Sequence, residues 1–425
     1  MERIFLCFFL LFFACSAVFA APAAQPGTVP EDVSQNLTLS ECYKLALKQS
    51  ELIAVDTEKI KEAEGRFLQS LGTILPQVSF ARTQTRQDLG SSTPQKKYEQ
   101  KFVFQQQLFS GFKEFAAMAA SGYGKKQFRS EQVRAQQLLF ADVSDAFYLL
   151  LEIRGDLLAL ETIKQAFNSR IDELKNRENL GKARTSEVVS TETQFYILED
   201  QIESAKSQEM VARQLLEFLI GRPVKDLTDS GSQFILKQES EYLSNADVRN
   251  DLLAAKYAWF LAQKNVAIAR SGFFPSVSFE GDYFTHLAST PTERRWDAVL
   301  KVSVPIWEGT STFGLVKEAN AKARESELLF KRTGRLVNQD IHLAYINAHS
   351  VFSRLAILEK ALKSAESNYT LQLADYDKNV VNNLDVLSAI QNLNDVRRSY
   401  NSILYTSKRY YLQLQVASGE IPVEK

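Results

Sequence analysis

The chain has 425 residues, a formal net charge of −1, 24% charged and 45% hydrophobic residues, and 3 cysteines. That near-neutral balance excludes a global basic field for nucleic acid and a strongly acidic solvating tail, so partner choice rests on local patches. The length permits two or three ordinary domains.

In chain order, Met1-Glu2-Arg3, the apolar run from Ile4 to Phe13 and the small-residue close at Val18-Phe19-Ala20 read as a secretory signal peptide over 1–20, too short to anchor in a bilayer. Cleavage after Ala20 removes Cys7 and Cys15 and leaves Cys42 alone, so no disulfide framework is expected. A second reading makes Cys15 a lipid attachment site, with Phe12 in the place of the usual leucine-like residue. Residues 21–36 form an N-terminal extension. Beyond residue 20 there is no run of 18 uncharged apolar residues, so no transmembrane helix is expected and membrane contact falls to strands or a lipid.

From there the chain is written twice. An offset of 198 carries Asp142, Val143, Ala146 and Phe147 onto Asp340, Ile341, Ala344 and Tyr345, Glu187-Val188-Val189-Ser190 onto Asp385-Val386-Leu387-Ser388, and Gly111 onto Gly309. A single shift held this far means one unit duplicated in tandem. The copies span 37–221 and 248–419. The segment 222–247 joins them and is expected around the middle of the molecule, and 420–425 is a tail.

Two proline-free stretches, 95 to 222 and 306 to 421, permit very long helices. In the first, Leu139, Val143, Ala146, Leu150, Ile153, Leu157, Leu160, Ile163, Phe167, Ile171 and Leu174 step by threes and fours. In the second, Val337, Ile341, Ala344, Ala348, Val351, Leu355, Leu358, Leu362, Ala365 and Tyr369 do the same. Such a seam is the coiled-coil signature. The first helix, from about Phe112 to Leu180, is then a rod of about 100 Å. Leu180-Gly181-Lys182-Ala183-Arg184-Thr185 and Asn379 to Asn383 supply Gly or Asn to stop each rod and Thr or Asn to cap the helix that returns, over 186–220 and 384–417.

Period two takes over in four shorter segments, about 76–87, 98–109, 275–286 and 296–307. Val277, Phe279, Gly281 and Tyr283 alternate with Ser278, Glu280 and Asp282. Leu300, Val302, Val304 and Ile306 alternate with Val299, Lys301 and Ser303, and Phe102, Phe104 and Leu108 with Lys101, Gln105 and Gln107. The first segment is weaker, with Arg82 and Arg86 on the face of Val78 and Phe80. Length and pattern are those of membrane-spanning strands, with hairpin tips at 88–97 and 287–295. Tyr98, Phe102, Phe109, Tyr283, Phe284, Trp296 and Trp307 are either interfacial girdles or plain packing. Four strands cannot close a barrel and an open edge cannot face lipid, so copies must pool them. Two chains give eight strands and a filled interior, three give twelve and a conduit, so a symmetric trimer is expected.

Helix, strand hairpin, long helix, turn and helix, repeated, resembles the TolC family of bacterial outer-membrane efflux ducts. The residues that carry the likeness are Leu39-Ser40-Glu41-Cys42-Tyr43-Lys44-Leu45-Ala46-Leu47 at the start of the first copy, Leu75-Pro76-Gln77-Val78-Ser79 and Phe274-Pro275-Ser276-Val277-Ser278 entering the hairpins, and Leu108-Phe109-Ser110-Gly111 and Val304-Pro305-Ile306-Trp307-Glu308-Gly309 leaving them. The resemblance implies a homotrimer with a twelve-stranded barrel in the outer membrane of a Gram-negative bacterium, continued by an α-helical barrel across the periplasm. It also implies a periplasmic adaptor, an inner-membrane pump and outer-membrane lipid as partners. The expected role is passive exit of small molecules or polypeptides through a tripartite efflux pump or a type I secretion system.

It further implies a constriction at the turn end, at Tyr376 and Asp385, with Glu187 as the matching acid of the first copy. As rings in a trimer these acids favour cations. Alternatively, Glu187 and Asp385 are first-turn acids that complement a helix dipole. Val381 stands where the family's better-known gate has a basic residue, and Ser388 where a further acid is often found, which leaves the salt-bridged latch without its usual partner. Leu180 and Gly181 match an adaptor-contact motif, or mark an ordinary helix stop. His286, His342 and His349 are the only histidines, with no carboxylate or thiolate cluster beside them in sequence, so neither metal nor cofactor is expected. No phosphate loop or nucleophile motif points to an enzyme. The rival reading is an exported coiled-coil scaffold or tether that spans the periplasm without a lumen.

Overall fold

The structure, a computed structural model, describes residues 36–87, 95–229, 234–287, 295–378 and 380–421. The signal-peptide reading, Cys15, residues 21–35, the tips 88–94 and 288–294, Asn379 and the tail from 422 lie outside the described residues. In order come α1 (Leu39–Gln49), α2 (Glu51–Gly72), β1 (Gln77–Gln87), β2 (Gln95–Ser110), α3 (Lys113–Asn179) and α4 (Thr185–Ile220). They are followed by α5 (Glu239–Leu243), α6 (Asn250–Arg270), β3 (Ser276–Leu287), β4 (Trp296–Ser303), α7 (Ser311–Asp377) and α8 (Asn383–Ala417). Among the described residues no helix is long and apolar enough to cross a membrane.

α3 and α7 are each 67 residues long and begin 198 residues apart. At a 1.5 Å rise each is about 100 Å from end to end. Their period-3.5 seams turn inward. Phe140, Phe147 and Leu150 pack with Leu216 and Ile220 of α4 and with Cys42 and Ala46 of α1. Nearer the turns, Leu160, Phe167 and Leu174 meet Ile202 of α4 and Val386 and Ile390 of α8. Val337 and Ile341 of α7 close a third cluster with Leu252 and Leu414. Burial in the first cluster pushes the Cys42 thiol up to about 12, because the thiolate finds no solvent there. α7 carries a second apolar column, Leu315, Leu329, Leu336, Leu343, Ile357 and Leu371, that repeats at multiples of seven and stays exposed.

Entry to α3 requires a glycine. Gly111 has φ +66°, and a Cβ there would lie 2.7 Å from Phe274 Cβ and 2.8 Å from the Ser271 carbonyl oxygen. Both the left-handed backbone and the close approach exclude a side chain.

The four strands form one antiparallel sheet in the order β1-β2-β3-β4, leaving β1 and β4 as edges. Register puts Phe80, Phe102, Tyr283 and Trp296 in one row across the sheet, and Val78, Phe104, Gly281 and Ala298 in the next row on the same face. Phe279 beside Leu300 and Val277 beside Val302 continue it toward the helices. Val277 to Tyr283 gives a band roughly 20 Å tall at about 3.3 Å per residue, near the height of a barrel's lipid-facing belt. The opposite face is polar, with Ser79, Thr83, Gln105, Ser278 and Lys301, and with Lys101 donating to Asp282.

Three details depart from the sequence reading. β4 stops at Ser303 rather than running to 307, because β3 begins at Ser276 and leaves nothing for Val304 to pair with. Pro305 also lacks a donor. Leu108 and Thr285 are bulged, so strict alternation breaks beside each of them. Alternation from Tyr283 already puts Phe284 on the polar face, 9% exposed beneath the Lys101 ammonium, and so outside any girdle, while the bulge at Thr285 moves His286 to the apolar side beside Gln100.

The described parts of 222–247 lie against the helices. Leu37 and Leu227 form a parallel bridge, and Tyr242 and Ala246 join the α7 cluster. Beside it Arg249, 2% exposed, donates to both Asp251 carboxylate oxygens at 2.8 and 2.6 Å, to Asp340 at 2.9 Å and to the Ala417 carbonyl at 3.0 Å. One guanidinium thereby ties α6, α7 and the carbonyl end of α8. Burial tends to raise the Asp251 pKa, but the hydrogen bonds and charge of Arg249 outweigh it and leave the carboxyl below its ordinary value. A carboxylate of depressed folded pKa adds stability that is complete above its unfolded value and is lost as pH falls through the folded one. Thermal melts are therefore expected to decline as pH drops below about 4, with a shallower decline in Asp251→Asn. An identical acid limb in both proteins contradicts the assignment.

Candidate functional site at the turn end

α3 stops by a two-bond C-cap. Gly181, at φ +69°, donates its N–H to the Glu178 carbonyl and Lys182 donates to that of Arg177, both at 2.8 Å. These satisfy carbonyls the helix end leaves bare, and a Cβ at Gly181 meets no atom, so backbone conformation alone selects glycine. Leu180 is 71% exposed on this tip. α7 ends similarly, with Val380 N–H on the Asp375 carbonyl at 2.9 Å. α8 then opens with a capping box, in which Asn382 Oδ1 accepts from the Asp385 N–H and Asp385 Oδ2 accepts from the Asn382 N–H, both at 3.1 Å.

Beneath the turns, one cluster joins all four long helices. Arg170 of α3, 3% exposed, donates Nε and Nη2 to Asn383 Oδ1 of α8 at 2.9 and 2.8 Å, and Nη1 to Glu173 at 2.7 Å. Asn383 Nδ2 in turn donates to Thr191 Oγ1 of α4 at 3.2 Å. The Arg170 guanidinium lies 3.6 Å from the centre of the Tyr376 ring of α7, and that of Arg177 lies 4.5 Å from it. Arg177 also pairs with Glu173 at 2.8 Å and Asp377 at 3.4 Å. Two guanidinium groups against two carboxylates leave the cluster neutral. A desolvated cation over an aromatic face contributes about 2 kcal/mol, and each hydrogen bond to a charged group about 1.5–3 kcal/mol.

The structure thus gathers Tyr376 into the packed layer between α3 and α7, while Glu187 and Asp385 sit half-buried in the first turns of α4 and α8 and Leu180 and Gly181 at the outer tip. Asp385 has a local partner in its capping box. No hydrogen bond joins the Glu187 carboxylate to another described residue. Val381 brings no basic group here, and the cations that lie against Tyr376, Arg170 and Arg177, come from another helix. Arg170 does leave a mark in the sequence, as a charged residue next to Ile171 within an otherwise apolar seam. Its partner Asn383 is 213 residues away and leaves none. His342 lies against Glu239 of α5, a second contact that chain spacing hides.

The family described as Outer membrane efflux protein matches residues 244–420. Outer membrane protein TolC of Vibrio cholerae is 24% identical over 70% of this chain and 71% of its own length. Alkaline protease secretion protein AprF of Pseudomonas aeruginosa is 22% identical over 90% of this chain and 84% of its own. Over these spans the chain is similar to the TolC family. The fold agrees throughout: a crystal structure of CusC superposes with a TM-score of 0.81 at 16% identity, covering 94% of this chain and 99% of that one. VceC of Vibrio cholerae superposes at 0.78 with 19% identity, over 91% and 97%. The relatives and neighbours so matched are outer-membrane channel proteins, and the chain shares their fold, a four-stranded sheet at the end of long helices.

Proposed function

We propose that this protein is the TolC-family exit duct of a tripartite efflux pump or type I secretion system, working as a homotrimer with a periplasmic adaptor and an inner-membrane pump. The observation that carries the reading is a four-stranded sheet with one apolar face and two open edges. In lipid each unpaired backbone group costs several kcal/mol, so β1 of one copy must pair with β4 of the next. Three copies give twelve strands with the polar face inward. The exposed column from Leu315 to Leu371 on α7 supports the same assembly, since an unpartnered row at heptad spacing fits a neighbouring copy's helix. A lumenless scaffold has no use for the apolar sheet face.

At the turn end the duct narrows. Rings of Glu187 and Asp385 favour cations and raise the barrier to anions, while Arg170, Tyr376 and Asn383 hold the hairpin α7–α8 against α3 and α4 as a latch. Leu180 and Gly181 offer the adaptor an exposed tip. Planar-bilayer recording tests the duct and its filter together: wild-type trimers pass a small cation-selective current, and Glu187→Ala with Asp385→Ala lowers that selectivity. A folded trimer that stays silent, both as wild type and with the latch residue Arg170 replaced, defeats the reading.

A further inference from the structure

The lipid-facing side of the sheet carries a second pattern beyond its apolar band. Past the aromatic row of Phe80, Phe102, Tyr283 and Trp296, the next rung toward the tips on the same face holds Arg82 opposite Gln100, then Gln84 opposite Tyr98, then Arg86 opposite Lys96. Arg82, Arg86 and Lys96 are all exposed, and no carboxylate among the described residues pairs with them. At about 3.3 Å per residue they lie roughly 7 to 20 Å beyond Phe80. All four carboxylates of the strands, Glu99, Glu280, Asp282 and Asp297, occupy the opposite face. Among the described residues the charges on the membrane side, where it leaves the apolar layer, are therefore cationic.

We propose that Arg82, Arg86 and Lys96 bind the phosphates of an outer-leaflet glycolipid with a phosphorylated sugar headgroup. An aromatic row marks the boundary between acyl chains and headgroups, so the three cations stand at headgroup depth. Guanidinium forks match phosphate oxygens in pairs and the lysine adds a point charge. Gln84, Gln100 and Tyr98, interleaved with them, present neutral donors and acceptors suited to sugar hydroxyls. At the level of the cations the one strand carboxylate, Glu99 opposite Thr83, lies on the other face, so no anion of the described strands offsets them there. The inference rests on the outer-membrane placement and names what that surface recognises.

The test is native mass spectrometry of the detergent-extracted wild type and of the variant R82Q/R86Q/K96Q, with diphosphorylated lipid A, the same lipid stripped of phosphate, and inorganic phosphate alone as probes. Wild type is expected to retain the diphosphorylated lipid, and the variant to hold it roughly a hundredfold more weakly, each charge contributing about fivefold. The stripped lipid is expected to bind wild type as weakly as the variant binds the full one, and inorganic phosphate to be lost from both. The wild-type comparison of the two lipids stands even where the variant folds poorly. Equal retention of both lipids by wild type, undiminished retention by a folded variant, or tight capture of inorganic phosphate overturns the proposal. A protein that fails to enter bilayers at all overturns the duct instead.

Discussion

Arg170→Ala is expected to lower the unfolding free energy by about 3 kcal/mol and, in the same protein, to raise single-channel conductance. The stability effect follows from what the truncation strands. Asn383 Oδ1 loses both donors in a buried site, Thr191 loses an anchored neighbour, and the Tyr376 ring loses the guanidinium 3.6 Å from its centre. Removing one member of a buried charged network costs about 3–5 kcal/mol where the rest stays buried. The lower figure applies because Glu173 keeps Arg177 and reaches solvent. The conductance effect follows from location, since these bonds add a polar tie to the apolar packing of α8 on α3 at the turn end. Arg170→Lys keeps the charge and loses the fork, so it should fall between the two. Tyr376→Phe keeps the ring and should stay close to wild type. Denaturant unfolding and bilayer recording read the two quantities separately. A destabilised variant with unaltered conductance would reduce the cluster to scaffolding, and a variant unchanged in both would show that the bonds contribute nothing.

Leu300→Arg is expected to prevent stable insertion, whereas Val299→Arg, one residue earlier on the same strand, is expected to be tolerated. Leu300 shares the apolar face with Phe279, and Val299 shares the polar face with Glu280. A guanidinium near the bilayer midplane costs about 2–4 kcal/mol on a barrel's lipid face. In a trimer that cost is met three times. Val299→Arg places its charge beside a carboxylate on the wet side, where substitutions typically stay within about 0.5 kcal/mol. Heat-resistant oligomer in extracted membranes is the readout. Equal behaviour of the two variants, or the reverse order, would mean that the faces have been assigned the wrong way round.

How legible the molecule was depends on the range of the contact. The long helices follow from local facts, namely proline-free stretches, a seam that holds its period and a glycine able to take φ +69° at the stop, and their ends fall within a residue or two of expectation. The strands follow from period two, and β1 and β3 end within a residue of expectation, but the start of β2, at Gln95 rather than about 98, and the end of β4 do not. β4 stops where its partner stops, which is a property of the pair rather than of Val304 or Ile306. The bulges at Leu108 and Thr285 are likewise visible only once β2 and β3 are laid side by side. The column from Leu315 to Leu371 is written at multiples of seven, yet it runs beside the inward seam and separates from it only when burial is known. The turn-end cluster is the least legible of all, because it assembles Arg170, Thr191, Tyr376 and Asn383 from four helices, and no spacing along the chain predicts such a meeting.

The equal 67-residue extents of α3 and α7 carry an evolutionary corollary. Because Arg177 near the end of one touches Asp377 at the end of the other, the two cannot change length independently. A deletion of seven residues from only one would keep its seam in phase yet retract its tip by about 10 Å, pulling Arg170 out of reach of Asn383. Viable relatives with shorter or longer periplasmic reach should therefore gain or lose such segments in matched pairs.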